Sequence, residues 1–266
     1  MRNKLTDELA VCGINAVLAV GEYHPQTINR LFLREDRFYD FTGICKQLAE
    51  RKRPYKICDD EELERICKSV HHQGVVAMIE EPVVEPLTME DLDLWANEGK
   101  TGILLYSIGN DHNLGAIARA AAFFDVSFIV LNEKDSSFNN ESDGESHLRL
   151  TTSAYRVAEG GFEHLTVRKI KNTTGFLKDA SKRLVTIGTD TRARQRITDL
   201  SSIIKTAKTG ERRPGIVLVL GNEEVGLPKD VKDKCKCLLR IPGTGNIESL
   251  NVSQAAALFL HTIFEG

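Results

Sequence analysis

The chain has 266 residues, 41% hydrophobic and 27% charged, with a formal net charge of −3. That length accommodates one large domain or two modest ones with a substantial core, and the composition excludes a disordered or fibrous protein. No stretch approaches the roughly 18 consecutive apolar residues of a membrane span, and the polar start Met1-Arg2-Asn3-Lys4-Leu5-Thr6-Asp7-Glu8 lacks the apolar core of a secretory signal. In chain order, residues 11–20 read as a short amphipathic helix, His24-Pro25 as a turn and residues 28–33 as a strand. Residues 44–50 have helical spacing, and 55–57 form a short strand. Residues 61–70 place Leu63, Ile66, Cys67 and Val70 on one side of a helix, and 74–79 close the segment as a strand. This alternation predicts a small α/β domain over residues 1–80.

The acidic stretch Glu80-Glu81-Pro82-Val83-Val84-Glu85-Pro86, with its two prolines, marks a boundary. A linker over 81–100, with a short helix at 89–97, leads into a second domain, 101–266. Strands are expected there at 102–106, 127–131, 165–168, 184–188, 215–220 and 237–241, and helices at 114–124 and 251–264. Ile216-Val217-Leu218-Val219-Leu220 is an unbroken apolar run, as for a central parallel strand covered on both faces. The pattern is an open parallel sheet with helices on both sides. Residues 132–146 are polar and rich in turn formers, which predicts a long loop.

Charge is unevenly distributed. Residues 140–215 carry 15 basic and 9 acidic side chains, so this block stands at +6 in a chain otherwise at −9. A local basic surface can bind polyphosphate even when the whole chain is acidic. The six cysteines (Cys12, Cys45, Cys58, Cys67, Cys235 and Cys237) include no C-x-x-C pair and read as reduced thiols of a cytoplasmic protein, mostly in the core. His71-His72 suits a metal poorly, because adjacent side chains chelate badly and no ligand partner is spaced for them.

Three strand-to-helix turns carry chemistry. In Asn110-Asp111-His112-Asn113-Leu114-Gly115-Ala116-Ile117-Ala118-Arg119, Asn113 is placed as the helix N-cap. Arg119 stands on an otherwise apolar helix beside Ala116, Ala120 and Phe123, where a cation needs an anion or a cleft. The second turn, Leu220-Gly221-Asn222-Glu223-Glu224-Val225-Gly226-Leu227-Pro228, lies at the C-terminal end of the strongest strand, where open α/β sheets place ligands. It is not a P-loop, since Leu227-Pro228 stands where Lys-Ser/Thr would meet phosphate. The third, Ile241-Pro242-Gly243-Thr244-Gly245-Asn246-Ile247-Glu248-Ser249-Leu250-Asn251-Val252-Ser253, ends with Ser249 or Asn251 capping an alanine-rich helix.

The order NxGxxxR, GNExxGLP, IPxxGxxxSLNVS resembles the SpoU/TrmH family of the SPOUT RNA methyltransferases, over about residues 101–265. Each motif alone is weak, and their joint order and spacing is specific. A weaker resemblance to the family's L30e-like RNA substrate-binding domain rests on Gly13-Ile14-Asn15-Ala16-Val17 and His71-His72-Gln73-Gly74-Val75. The resemblance implies a C-terminal α/β trefoil-knot domain, a smaller N-terminal L30e-like domain, and a homodimer. It implies transfer of a methyl group from S-adenosyl-L-methionine to a ribose 2′-hydroxyl of tRNA or rRNA, with no metal and no membrane. Residue by residue, it implies cofactor contacts from Gly221, Ile241 and Leu250 and a catalytic Arg119 supplied across the dimer. Asn113, Glu223, Ser249 and Asn251 would support the site or contact RNA. The basic residues Arg149, Arg156, Arg192, Arg194 and Arg196, with Arg51-Lys52-Arg53, would then meet RNA phosphates. One departure is Asp111, where the family's first motif often has proline. Two alternatives stand beside this reading. A non-catalytic RNA-binding protein of the same fold is disfavoured by the intact Arg119, Gly221 and Ser249-Leu250-Asn251. A Rossmann nucleotide enzyme lacks its glycine fingerprint.

Overall fold

Residues 8–80 alternate strand and helix because short apolar runs are separated by Gly, Pro and Asp at the points where the chain turns. A computed structural model describes residues 8–108, 110–133, 150–208, 212–222 and 225–266. The loop expected at 132–146 falls outside these from residue 134 onward, as do Glu223 and Arg149. The order begins β1 (Glu8–Cys12), α1 (Ile14–Tyr23), β2 (Ile28–Leu33), α2 (Thr42–Glu50), β3 (Tyr55–Ile57), α3 (Asp60–Cys67) and β4 (Val75–Glu80). It continues β5 (Glu85–Pro86), α4 (Met89–Asn97), β6 (Thr101–Leu105), α5 (Asp111–Phe123), β7 (Phe128–Asn132), α6 (Thr152–Ala158) and β8 (Thr166–Ile170). The last elements are α7 (Thr173–Ala180), β9 (Val185–Thr189), β10 (Gln195–Arg196), α8 (Leu200–Ala207), β11 (Ile216–Leu220), α9 (Lys229–Lys232), β12 (Cys237–Arg240) and α10 (Val252–Glu265).

The first of two units comprises Met1–Val83 and Leu150–His164. Its sheet has the order β1-β4-β2-β3, with β4 antiparallel to both neighbours. The helix expected at 11–20 is corrected here. Residues 9–12 extend beside β4, with Leu9 opposite Ile79 and Cys12 opposite Val76, and the helix begins only at Ile14. Gly13 makes the switch at φ 98°, a conformation open to glycine. Leu9-Ala10-Val11-Cys12 is buried throughout, so it lacks the alternation that would separate strand from helix. Helix α3 is shorter than expected. Asp59 caps its start by accepting from the Glu62 N–H, and Lys68 ends it in the left-handed region.

Residues 150–164 follow β7 in sequence, yet they join the first unit. Asn15 Nδ2 donates to Glu159 Oε2 at 3.0 Å. His24 Nε2 lies 3.3 Å from Glu163 Oε2, and the Tyr23 and His164 rings meet edge-on at 4.6 Å.

The second unit, Val84–Arg149 and Leu165–Gly266, is an eight-stranded sheet of order β10-β12-β9-β11-β6-β7-β8-β5, parallel at every pair. The six strands expected from sequence are all present. Strand β11, every residue buried, lies between β9 and β6. The expected linker over 81–100 contains a short strand and a helix that belong to the second unit. Glu85–Pro86 pairs with β8, and Leu92 and Trp95 of α4 are buried in the core. Trp95 stacks on Phe128 at 3.6 Å and 3°. Phe128 in turn covers Gly102, where a Cβ would sit 1.9 Å from the ring. Burial of such an aromatic side chain contributes about 1.5–3 kcal/mol, so α4 belongs to this unit. Thr88 and Asp91 cap α4 reciprocally, and Arg168 of β8 holds Asp91 at 3.1 Å.

Candidate functional site

Because every pair in the second sheet is parallel, the C-terminal ends of β6, β11 and β12 open on one edge, where such sheets place ligands. The three motifs supply the loops that leave these ends. Strand β6 leads into the first. Asn110, not Asn113, is the N-cap of α5, with Oδ1 accepting from the His112 N–H at 2.8 Å. The sequence offers Asn110, Asp111 and Asn113 as capping side chains in four positions, and the helix takes the earliest. Asn113 thereby falls in the first turn and is available to a distant partner. Asn251 Nδ2 donates to Asn113 Oδ1 at 3.1 Å.

The loop after β11 is folded back on itself. The Gly226 N–H donates to the Asn222 carbonyl at 2.9 Å, with Gly226 at φ 66°. A Cβ on Gly221 would lie 2.6 Å from the Gly226 carbonyl carbon and 2.7 Å from the Leu227 nitrogen, so backbone fills the space that any other residue would need. Asn222 fastens this loop to the one after β6. Its Nδ2 donates to the Ser107 carbonyl at 2.9 Å, and its Oδ1 accepts from the Val225 N–H at 3.1 Å. Sequence reasoning misses Asn222, whose place between Gly221 and Glu223 in the motif is the signal for it.

The third loop leaves β12 at Ile241, which is half-buried, and runs exposed to Asn251. Among the described residues, the N–H groups of 243–250 make no backbone hydrogen bond. Ile247 and Leu250 stand 80% and 46% exposed. Asn251 ends the loop by capping α10, its Oδ1 accepting from the Ser253 N–H at 2.9 Å and the Ser253 hydroxyl at 2.6 Å. Ser249 is exposed beside it. Uncovered apolar side chains next to unbonded backbone groups suit a flat, partly apolar ligand with a hydrogen-bonding edge. Arg119 is exposed on α5, about 9 Å along the helix axis from Asn113.

The basic residues divide in their use. Arg51 gives its guanidinium to the carbonyls of Pro25, Gln26 and Ile28, which joins α2 to the turn before β2. Arg192, Arg194 and Arg196 are exposed, Arg156 is half-buried in the first unit, and Arg149 lies outside the described residues.

Comparison with known proteins agrees with both units. Residues 100–261 match the SpoU rRNA Methylase family, and residues 10–83 match the family described as RNA 2'-O ribose methyltransferase substrate binding. The chain is 29% identical to the 23S rRNA (guanosine-2'-O-)-methyltransferase RlmB of Pseudomonas aeruginosa over 256 residues, covering 95% of this chain and 94% of that one. It is 27% identical to an uncharacterized tRNA/rRNA methyltransferase, YfiF, of Escherichia coli O157:H7, covering 98% and 69%. Among solved structures, the SpoU methyltransferase AviRb from Streptomyces viridochromogenes, in complex with AdoMet, superposes with a TM-score of 0.71 at 18% identity, covering 100% of this chain and 93% of that one. The AdoMet-bound rRNA methyltransferase from Sinorhizobium meliloti gives 0.68 at 19% identity, covering 97% and 87%. The α/β fold is that of these structures, a parallel-sheet domain with a smaller N-terminal unit. The chain belongs to the SpoU rRNA Methylase family.

Proposed function

We propose that the chain is an S-adenosylmethionine-dependent RNA methyltransferase that acts on a ribose 2′-hydroxyl of tRNA or rRNA as a homodimer. The observation that carries this reading is the Asn251–Asn113 hydrogen bond, which holds the uncovered third loop against the helix that bears Arg119. Family membership and the names of the relatives support the same chemistry.

The residues fit the cofactor. Gly221 keeps the loop after β11 close to its own returning backbone. Ile241 and Leu250 flank a loop with unbonded amides, suited to the adenine ring and its edge. When bound, the cofactor supplies an electrophilic methyl group on its sulfonium. The protein must hold the ribose hydroxyl in line with that carbon. Arg119 serves as a donor fork that orients the hydroxyl and a neighbouring phosphate, since a guanidinium has donors and no acceptor. Ser249 and Glu223 are assigned to RNA contact and to supporting Arg119.

The homodimer reading rests on an apolar face of the second unit. Phe123 is 80% exposed, Phe264 55% and Leu258 45%, all on α5 and α10. Phe124 packs against both Phe264 and His261 there. Exposed apolar side chains on two packed helices support a protein contact at this face, and a second copy would bring Arg119 beside the other subunit's cofactor loop.

Arg119→Ala and Arg119→Lys test the reading. Each is expected to lower methyl transfer to RNA on the order of 10²–10³-fold, the cost of removing one oriented donor, with cofactor affinity by calorimetry unchanged. Wild-type turnover in Arg119→Ala rejects the role.

A further inference from the structure

Strand β10 brings together two arginines that the sequence separates by 44 positions. Gln195 and Arg196 pair in parallel with Leu239 and Arg240 of β12, so Arg196 and Arg240 are register partners at the outer edge of the second sheet. Register partners point to the same side of a sheet and stand about 5 Å apart. Two like charges so placed are destabilising unless an anion neutralises them. Among the described residues, no carboxylate forms an ion pair with Arg192, Arg194, Arg196 or Arg240. The two acids nearest in sequence bind backbone N–H groups of this segment and form no ion pair with Arg196 or Arg240. Asp190 pairs with Lys232 at 2.9 Å and accepts from the Arg192 N–H, while Asp199 accepts from the Arg196 N–H at 2.8 Å.

The turn before β10 is built to display its arginines. The Ala193 N–H donates to the Asp190 carbonyl, and Ala193 is buried, which leaves Arg192 and Arg194 exposed on either side of it. At the other end, Arg240 directly precedes Ile241, where the third loop begins. Charged side chains on an edge strand also discourage edge-to-edge pairing. That role concerns the edge strand β10, and it does not account for Arg240 on its neighbour β12, next to the candidate cofactor loop.

We infer that this edge, with Arg196 and Arg240 at its centre and Arg192 and Arg194 extending it, is a track that binds the phosphates of the substrate strand on its way to the cofactor loop. The inference rests on the RNA reading above and adds to it a location and a residue, Arg240, that spacing did not suggest.

The test is binding of unfractionated transfer RNA to the full chain across a salt series, for wild type, Arg196→Gln/Arg240→Gln and Arg196→Lys/Arg240→Lys. The glutamine pair is expected to flatten the slope of log affinity against log salt by about 1.4–1.8, the value for two lost phosphate contacts. The lysine pair keeps both charges and is expected to keep the slope. Unchanged S-adenosylmethionine affinity in each variant shows that the fold is intact. An unchanged slope in the glutamine pair overturns the track, and so does retained RNA affinity accompanied by self-association, which assigns the arginines to edge protection. Salt-independent binding by the wild type rejects the RNA reading itself, a different failure from a misplaced track.

Discussion

Asn251 donates a hydrogen bond from Nδ2 to Oδ1 of Asn113, across 138 positions of sequence. One side chain therefore does two jobs, since Asn251 Oδ1 also caps α10. Asn113→Ala is expected to free the third loop from α5 and to weaken cofactor binding. Asn251→Ala is expected to do the same and also to cost about 1 kcal/mol of stability from the lost cap. A double-mutant cycle read by urea unfolding and calorimetry should give a coupling of about 0.5–1.5 kcal/mol. Strictly additive single variants would show that the bond does not couple the two elements.

The exposed aromatic face gives a second expectation. Phe123→Asp places a charge at an aromatic residue that is 80% exposed. Sedimentation should show the variant as a monomer at concentrations where wild type is a dimer. Methyl transfer should fall with it, because Arg119 is assigned to act across the interface. A variant that stays dimeric, or a monomer with full activity, contradicts that assignment.

A third expectation concerns pH. Burial raises the Glu163 carboxyl from 4.5 to about 7, with His24 Nε2 lying 3.3 Å from it. The cause is removal from water, since the Glu163 side chain is only 5% exposed. A carboxyl raised in the folded state contributes stability that is present below its unfolded value and lost as pH rises through its folded one. The window is therefore about 4.5 to 7, and the loss at most roughly 3 kcal/mol. Glu163→Gln makes the neutral form permanent. Urea unfolding should find it more stable than wild type at pH 8, with the difference disappearing toward pH 4.5. A wild-type profile that is flat across this window would dismiss Glu163 as its cause.

The second sheet was legible because a strand covered on both faces is written as an unbroken apolar run, as in residues 216–220. Strand β1 was not, because a five-residue buried strand followed by a helix presents one continuous apolar segment. Glu85–Pro86 and Gln195–Arg196 pair through their backbones while carrying polar side chains, so nothing in hydropathy marks them. At the candidate site, the motifs point to Gly221, Asn113 and Asn251 as site residues. They did not reveal that Asn110 takes the cap, or that Asn222 fastens two loops together. Both facts depend on competition among neighbouring side chains for the same backbone groups. The pairing of Arg196 with Arg240 was hidden for another reason, since strand order in a parallel sheet is set by crossovers and not by sequence proximity.

The first unit takes its last segment, Leu150–His164, from beyond β6 and β7 of the second. During synthesis, a chain that emerges from its N-terminus cannot complete this unit until residue 164 has left the ribosome, and by then three strands of the other sheet, β5, β6 and β7, have emerged as well. Folding one domain at a time is the usual protection against misassembly, and this connectivity removes it. The two units must therefore mature as overlapping events. A single cut near residue 83, which the proline-rich boundary invites, would leave the N-terminal fragment without the partners of Asn15, Tyr23 and His24.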